Sequence, residues 1–123
     1  MAREIRIIHT RDFVSAKPDG RLDLEESKRL LLEVSSFFET CEASHILLDT
    51  RASTSVLSAS DLWYLADCLA RQPKPAACRI AIVCPAERFD YASFYALCAE
   101  RRGIDMQAFL SYEEAMQWLN EAA

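Results

Sequence analysis

The residues best suited to chemistry crowd into one stretch of this chain. Positions 45–60 read HILLDTRASTSVLSAS. Asp49 closes a short apolar run and Arg51 follows two residues later. Thr50, Ser53, Thr54, Ser55, Ser58 and Ser60 then place six hydroxyls within eleven residues. Two readings fit them. Such side chains cap helices and close turns whatever the function, because they satisfy backbone groups left open at a helix start. Beside a helix N-terminus the same hydroxyls could instead carry a phosphate, since free N–H groups and the helix dipole favour negative charge. By position, Ser53, Thr54 and Ser55 are the phosphorylation candidates. Asp49 and Arg51 point to the same side of an extended chain. A local ion pair that braces the loop is the plainer expectation. The functional one turns the Arg51 fork toward an anionic ligand or a partner carboxylate.

Other chemistry is poorly supplied. The two glycines, Gly20 and Gly103, lie far apart, so neither a GxxxxGK[ST] loop nor a GxGxxG turn exists to cradle phosphates. His9 and His45 have no Cys or carboxylate neighbours at metal-ligand spacing. No GxSxG elbow supports a nucleophilic serine. The expectation is a non-enzymatic chain with no catalytic residue, metal or cofactor. Five cysteines without a CxxC pair read as reduced, mostly buried thiols. A net charge of −5 argues against a nucleic-acid face. The adjacent pair Arg101 and Arg102 falls at a predicted helix end, where cations complement the dipole. No stretch is long and apolar enough for a signal peptide or an integral membrane segment, so a cytoplasmic location is expected.

Elements must position these residues. A length of 123 residues suggests a single domain over 1–123. Residues 5–9 and 13–17 read as an antiparallel strand pair, with a turn at 10–12 and a break at Pro18, Asp19 and Gly20. Asp23 and Glu26 open a helix whose apolar stripe holds Leu24, Leu30, Leu31, Val34, Phe37, Phe38 and Cys41. The third strand is 45–49. Ser58 and Asp61 form a capping box for a helix with Leu62, Leu65, Ala66 and Leu69 inward, ended by Pro73 and Pro75. The fourth strand, 79–84, holds the unbroken apolar run Ile80, Ala81, Ile82 and Val83, as in a strand covered on both faces. Asp90 is the expected cap of a third helix and Gly103 its terminator. A fifth strand at 105–110 precedes a capping box at Ser111 and Glu114, with Tyr112, Ala115, Met116 and Leu119 facing inward. The order is ββαβαβαβα: an α/β fold with a mixed, mainly parallel five-stranded sheet and about four helices.

Aromatic residues exceed what one inward stripe can hold. Tyr91, Phe94 and Cys98 share a face of the third helix, with Tyr95 displaced from it. Trp63 lies outside the apolar stripe of the second helix. The surplus could cover a dimer interface, meet a protein partner, or line an apolar site.

The segments HILLDTR, RIAIVCP and FLSYEEAMQWL, taken with the element order, resemble the SpoIIAA-like branch of the STAS superfamily, the sulfate transporter and anti-sigma factor antagonist domains. The resemblance spans nearly the whole chain, from the turn at Asp19 to Leu119. It implies a STAS-like bacterial regulatory domain that works by protein–protein interaction. In the antagonists a serine at the start of the second helix is phosphorylated, within Asp-Ser-Ser-Gly. The matching region here, DTRASTS, lacks that glycine. The expected partner- or anion-binding set is Asp49, Arg51, Ser53, Ser55 and Trp63, controlled by phosphorylation in the loop 50–60. The alternative is a carrier of a small apolar or lipid-like ligand, contacted by Tyr91, Phe94, Tyr95 and Trp63.

Overall fold

The computed structural model describes residues 5–9, 13–40, 45–55, 57–73 and 78–121. In chain order the elements are β1 (Ile5–His9), β2 (Phe13–Pro18), β3 (Gly20–Leu22), α1 (Leu24–Thr40), β4 (His45–Asp49) and β5 (Ser53–Ser55). They continue with α2 (Ala59–Ala70), β6 (Arg79–Val83), a 3-10 turn (Ala86–Arg88), α3 (Phe89–Glu100), β7 (Asp105–Phe109) and α4 (Tyr112–Asn120).

Five strands form one sheet in the order β1-β2-β4-β6-β7. β1 and β2 are antiparallel, as expected, and β2, β4, β6 and β7 run parallel. Each crossover steps the same way across the sheet. Crossovers of one hand then place α1, α2 and α3 on one face and leave the other to α4. Strand alternation divides the core accordingly. Ile46, Ile80, Ile82 and Met106 face Leu30 and Val34 of α1, Leu69 of α2 and Ala96 of α3. Leu47, Ala81 and Val83, all without exposed surface, face Ala115 and Leu119 of α4. The unbroken apolar run of β6 therefore has the physical cause anticipated for it.

Local chemistry sets the helix starts. The Asp23 carboxylate accepts the Glu26 N–H at 2.9 Å. Ser58 and Asp61 make a reciprocal capping box. The Ser111 hydroxyl oxygen accepts the Glu114 N–H at 3.1 Å. At the far end of α3 the Ile104 N–H returns to the Ala99 carbonyl and Gly103 adopts φ 81°. That left-handed conformation suits glycine.

Four details differ from expectation. Gly20–Leu22 and Ser53–Ser55 pair as a separate two-stranded parallel sheet, so β3 and β5 add to the expected order. Three-residue strands show no alternation to read. Asp90 lies within the first turn of α3 and Arg88 occupies the cap, because the 3-10 turn starts the coil earlier. β2 runs on through Pro18, the first residue of the expected break, which is fully buried. Tyr112 is 40 % exposed at the first residue of α4, while Met116 packs inward. The expected turn at 10–12, Cys41 and Pro75 lie outside the described residues, as do the side chains of Phe37 and Phe38.

Candidate functional site

The four parallel strands direct their carboxyl ends to one rim, and the chain after β4 crosses it. Thr50 stays clamped to β6: its N–H and its hydroxyl both donate to the Val83 carbonyl, at 2.8 and 3.0 Å. The chain then turns through exposed Arg51 and Ala52. Arg51 folds back on Asp49 in a two-pronged pair, Nε to Oδ1 at 3.0 Å and Nη2 to Oδ2 at 2.8 Å. The Arg51 N–H adds a third bond to Oδ1 at 3.1 Å. The sequence allowed this pair because residues two apart share a side of an extended chain.

Electrostatics at Asp49 are a contest. Its side chain is 6 % exposed and that of Arg51 45 %. Burial pushes the Asp49 carboxyl up, but the hydrogen bonds and charge of Arg51 outweigh it and hold the group below the usual aspartate range. Arg51 is raised in turn, first by its hydrogen bonds to Asp49.

The rest of the loop is tied from beneath. Ser53 is 3 % exposed, and its hydroxyl donates to the Thr50 carbonyl at 3.0 Å. Arg88 Nη2 donates to the Thr50 and Ser53 carbonyls at 2.9 and 2.6 Å. The Tyr91 hydroxyl donates to the Leu57 carbonyl at 2.7 Å. Of the three phosphorylation candidates, Thr54 is exposed, Ser53 is turned inward, and the Ser55 side chain lies outside the described residues. Arg88 had no signal of its own in the sequence, and Tyr91 was expected as an apolar-ligand contact rather than as a brace of this loop. The nearest signal is that 84–89 also follows a parallel strand and so must share the rim.

Trp63 stands on the outer surface of α2, 52 % exposed. The Arg102 guanidinium stacks 4.0 Å from its ring centre. Arg102 also donates to the Cys98 carbonyl at 2.9 Å and lies 3.6 Å from Asp67. Arg102, of the basic pair at the end of α3, thus ties that helix to α2, and Trp63 remains half exposed.

The aromatics of α3 separate. α3 is apolar around most of its circumference, so period alone cannot choose its inner face. Tyr95 packs against the core, whereas Phe94 is 39 % exposed. A cavity of about 120 Å³ lies between the sheet and α1 to α3, lined in part by Leu30, Leu65, Ile82, Tyr91 and Tyr95. Phe94 and Trp63 do not line it. Both were expected there, and both are turned to solvent because α2 and α3 present those positions on their outer sides.

His45 is buried, its Nδ1 accepting the Arg79 N–H at 3.0 Å. Cys68, Cys78, Cys84 and Cys98 are free thiols, three of them buried. Among the described residues no group of three His, Cys, Asp or Glu could hold a metal. No helix there is long and apolar enough to cross a membrane.

No protein-family model matches the chain, and no curated protein matches it in sequence. Solved structures do. An uncharacterised protein of the DUF3478 family with a SpoIIAA-like fold, from Shewanella loihica PV-4, is 18 % identical, with 95 % of this chain and 93 % of that one covered and a TM-score of 0.59. An anti-sigma factor antagonist from Mycobacterium paratuberculosis is 13 % identical, covers 97 % and 95 %, and has a TM-score of 0.60. The unphosphorylated anti-sigma factor antagonist SpoIIAA is 16 % identical, covers 97 % and 98 %, and has a TM-score of 0.55. The chain has a SpoIIAA-like, STAS-like fold.

Proposed function

We propose that residues 1–123 form one STAS-like regulatory domain that binds a protein partner through the rim between β4 and α2. The observation that carries this reading is the loop segment 50–54. It is exposed at Arg51, Ala52 and Thr54, yet braced beneath by Asp49 and Arg88, with Tyr91 holding Leu57 beyond it. A braced loop presents its side chains without a large ordering cost on binding. Arg51 and Thr54 supply the polar contacts and Trp63 the apolar one. Similar solved structures are anti-sigma factor antagonists, and one of them, SpoIIAA, is also solved in a phosphorylated form. On this reading Thr54 is the exposed hydroxyl that a kinase would modify, and the added charge beside Arg51 would change which partner docks. The role is non-enzymatic and cytoplasmic.

Affinity capture from native lysate tests it, with wild type, an Arg51→Ala/Trp63→Ala variant and a Gln107→Ala control on the exposed edge of β7. The reading expects proteins held by wild type and the control to be lost from the double variant. Identical protein sets from all three would remove this surface from consideration. A chain that retains only copies of itself would make the surface a homodimer contact instead.

A further inference from the structure

The space beneath α2 is unusual in what it leaves unsatisfied. α2 packs chiefly against α1 and α3 rather than directly on the strands, and the cavity occupies the gap. Its wall is mostly apolar, but Ser35 lines it, is 4 % exposed, and has a hydroxyl without a hydrogen-bond partner. A buried hydroxyl normally finds a partner because leaving it unmade is costly. At the rim, Arg88 lines the same cavity. Its Nη2 serves two carbonyls, while Nε and Nη1 have no acceptor and the guanidinium no carboxylate among the described residues. Ser27 and Ser35 both line the cavity from α1, eight residues apart. At 1.5 Å per residue the cavity therefore extends roughly 12 Å from rim to floor. Its 120 Å³ is close to the roughly 150 Å³ that accepts a single benzene ring and well below the roughly 300–1,000 Å³ of larger ligand sites. That size excludes a long acyl chain.

We infer that this cavity binds a small carboxylate with a one-ring apolar body, its anionic end on Arg88 and a polar atom at its far end on Ser35. The three parts correspond to three observations: a cation at the mouth with no carboxylate partner among the described residues, a mostly apolar wall around a space of about one ring's volume, and an unpaired hydroxyl on α1 farther in. Arginine suits a carboxylate through its planar fork. Tyr95 offers a further protonated hydroxyl on the same wall, since burial holds its phenol neutral. The site shares Arg88 with the loop above, but its occupancy does not require that loop to dock a partner.

The test is methyl-resolved NMR of the full chain with 4-hydroxybenzoate, benzoate and the uncharged 4-hydroxybenzyl alcohol. The acid should shift the methyls of Leu30, Leu65 and Ile82 and bind roughly tenfold tighter than the alcohol, the worth of one charge-assisted contact. Arg88→Gln should erase that difference. Because Arg88 also braces the loop, Ala92→Leu provides a second arm: it fills the cavity from α3 and should abolish every shift while circular dichroism still reports a folded chain. Ser35→Ala should lower the affinity for 4-hydroxybenzoate to that for benzoate. Three results overturn the inference: no methyl shift up to the solubility of the acids, shifts that persist in a folded Ala92→Leu, or equal binding of acid and alcohol.

Discussion

Removing Arg51 should reverse the sign of the Asp49 pKa shift. Burial is the largest influence on that carboxyl and acts upward; the side-chain bonds, backbone bond and charge of Arg51 overcome it together. Arg51→Ala deletes the two side-chain bonds at 3.0 and 2.8 Å and the charge, leaving one N–H at 3.1 Å to support a carboxylate that is 6 % exposed. The group should then titrate above the ordinary value of about 3.9 instead of below it. In wild type the depressed pKa contributes stability at pH above about 3.9, and that contribution is lost as pH falls through the folded value. In Arg51→Ala the raised pKa destabilises at neutral pH, and the penalty fades as pH falls through the raised value. The stability gap is thus fullest near pH 7 and closes in acid. Each bond to a charged group is worth about 1.5–3 kcal/mol when buried. Arg51 is nearly half exposed, so solvent screening reduces the pair to about 2 kcal/mol. For a chain of this size that lowers Tm by roughly 5–10 °C at pH 7. Carboxyl-detected NMR titration reads the pKa directly, and urea melts at pH 7, 5 and 3 read the gap. An unmoved Asp49 pKa, or a gap that stays constant across those three melts, would refute the balance described here.

Three further outcomes follow from geometry. Ser58→Ala removes the hydroxyl that accepts the Asp61 N–H, leaving only the backbone half of the α2 capping box, and should cost about 1 kcal/mol in chemical denaturation, with faster amide exchange confined to the first turn of α2; protection unchanged there would mean the hydroxyl carries no weight. Gly103→Ala meets nothing within 4 Å, so its cost is conformational alone, about 1–2 kcal/mol at φ 81°, and a larger loss in the melt would point to contacts not seen. Leu47→Ala empties a fully buried position in the layer under α4 and should cost about 2–5 kcal/mol, measured by urea titration, with Trp118 emission shifting as its layer loosens.

The comparison between chain and fold is instructive at particular residues. Ser58 with Asp61 and Ser111 with Glu114 announced two helix starts, because a cap involves residues three apart and nothing else. Ile80, Ala81, Ile82 and Val83 announced a strand covered on both sides, because a solvated face would have required polar alternation. The pairing of Asp49 with Arg51 was legible for the same short-range reason. The pairing of Gly20–Leu22 with Ser53–Ser55 was not, since it joins segments about thirty residues apart through backbone bonds that no side chain advertises. Likewise Phe94 and Tyr95 are adjacent aromatics in an apolar helix, and only the placement of α2 and the sheet sends one out and the other in.

Sequence alone determined the mixed α/β architecture, the helix caps and the loop where polar chemistry gathers, because these depend on periodicity and on neighbours a few residues away. Tertiary structure decided which hydroxyls face solvent, that Arg88 and Tyr91 hold the loop from another crossover, and that a cavity opens beneath α2 beside an unpaired Ser35. Those are relations between segments far apart in the chain, and they exist only once three helices must share one face of one sheet.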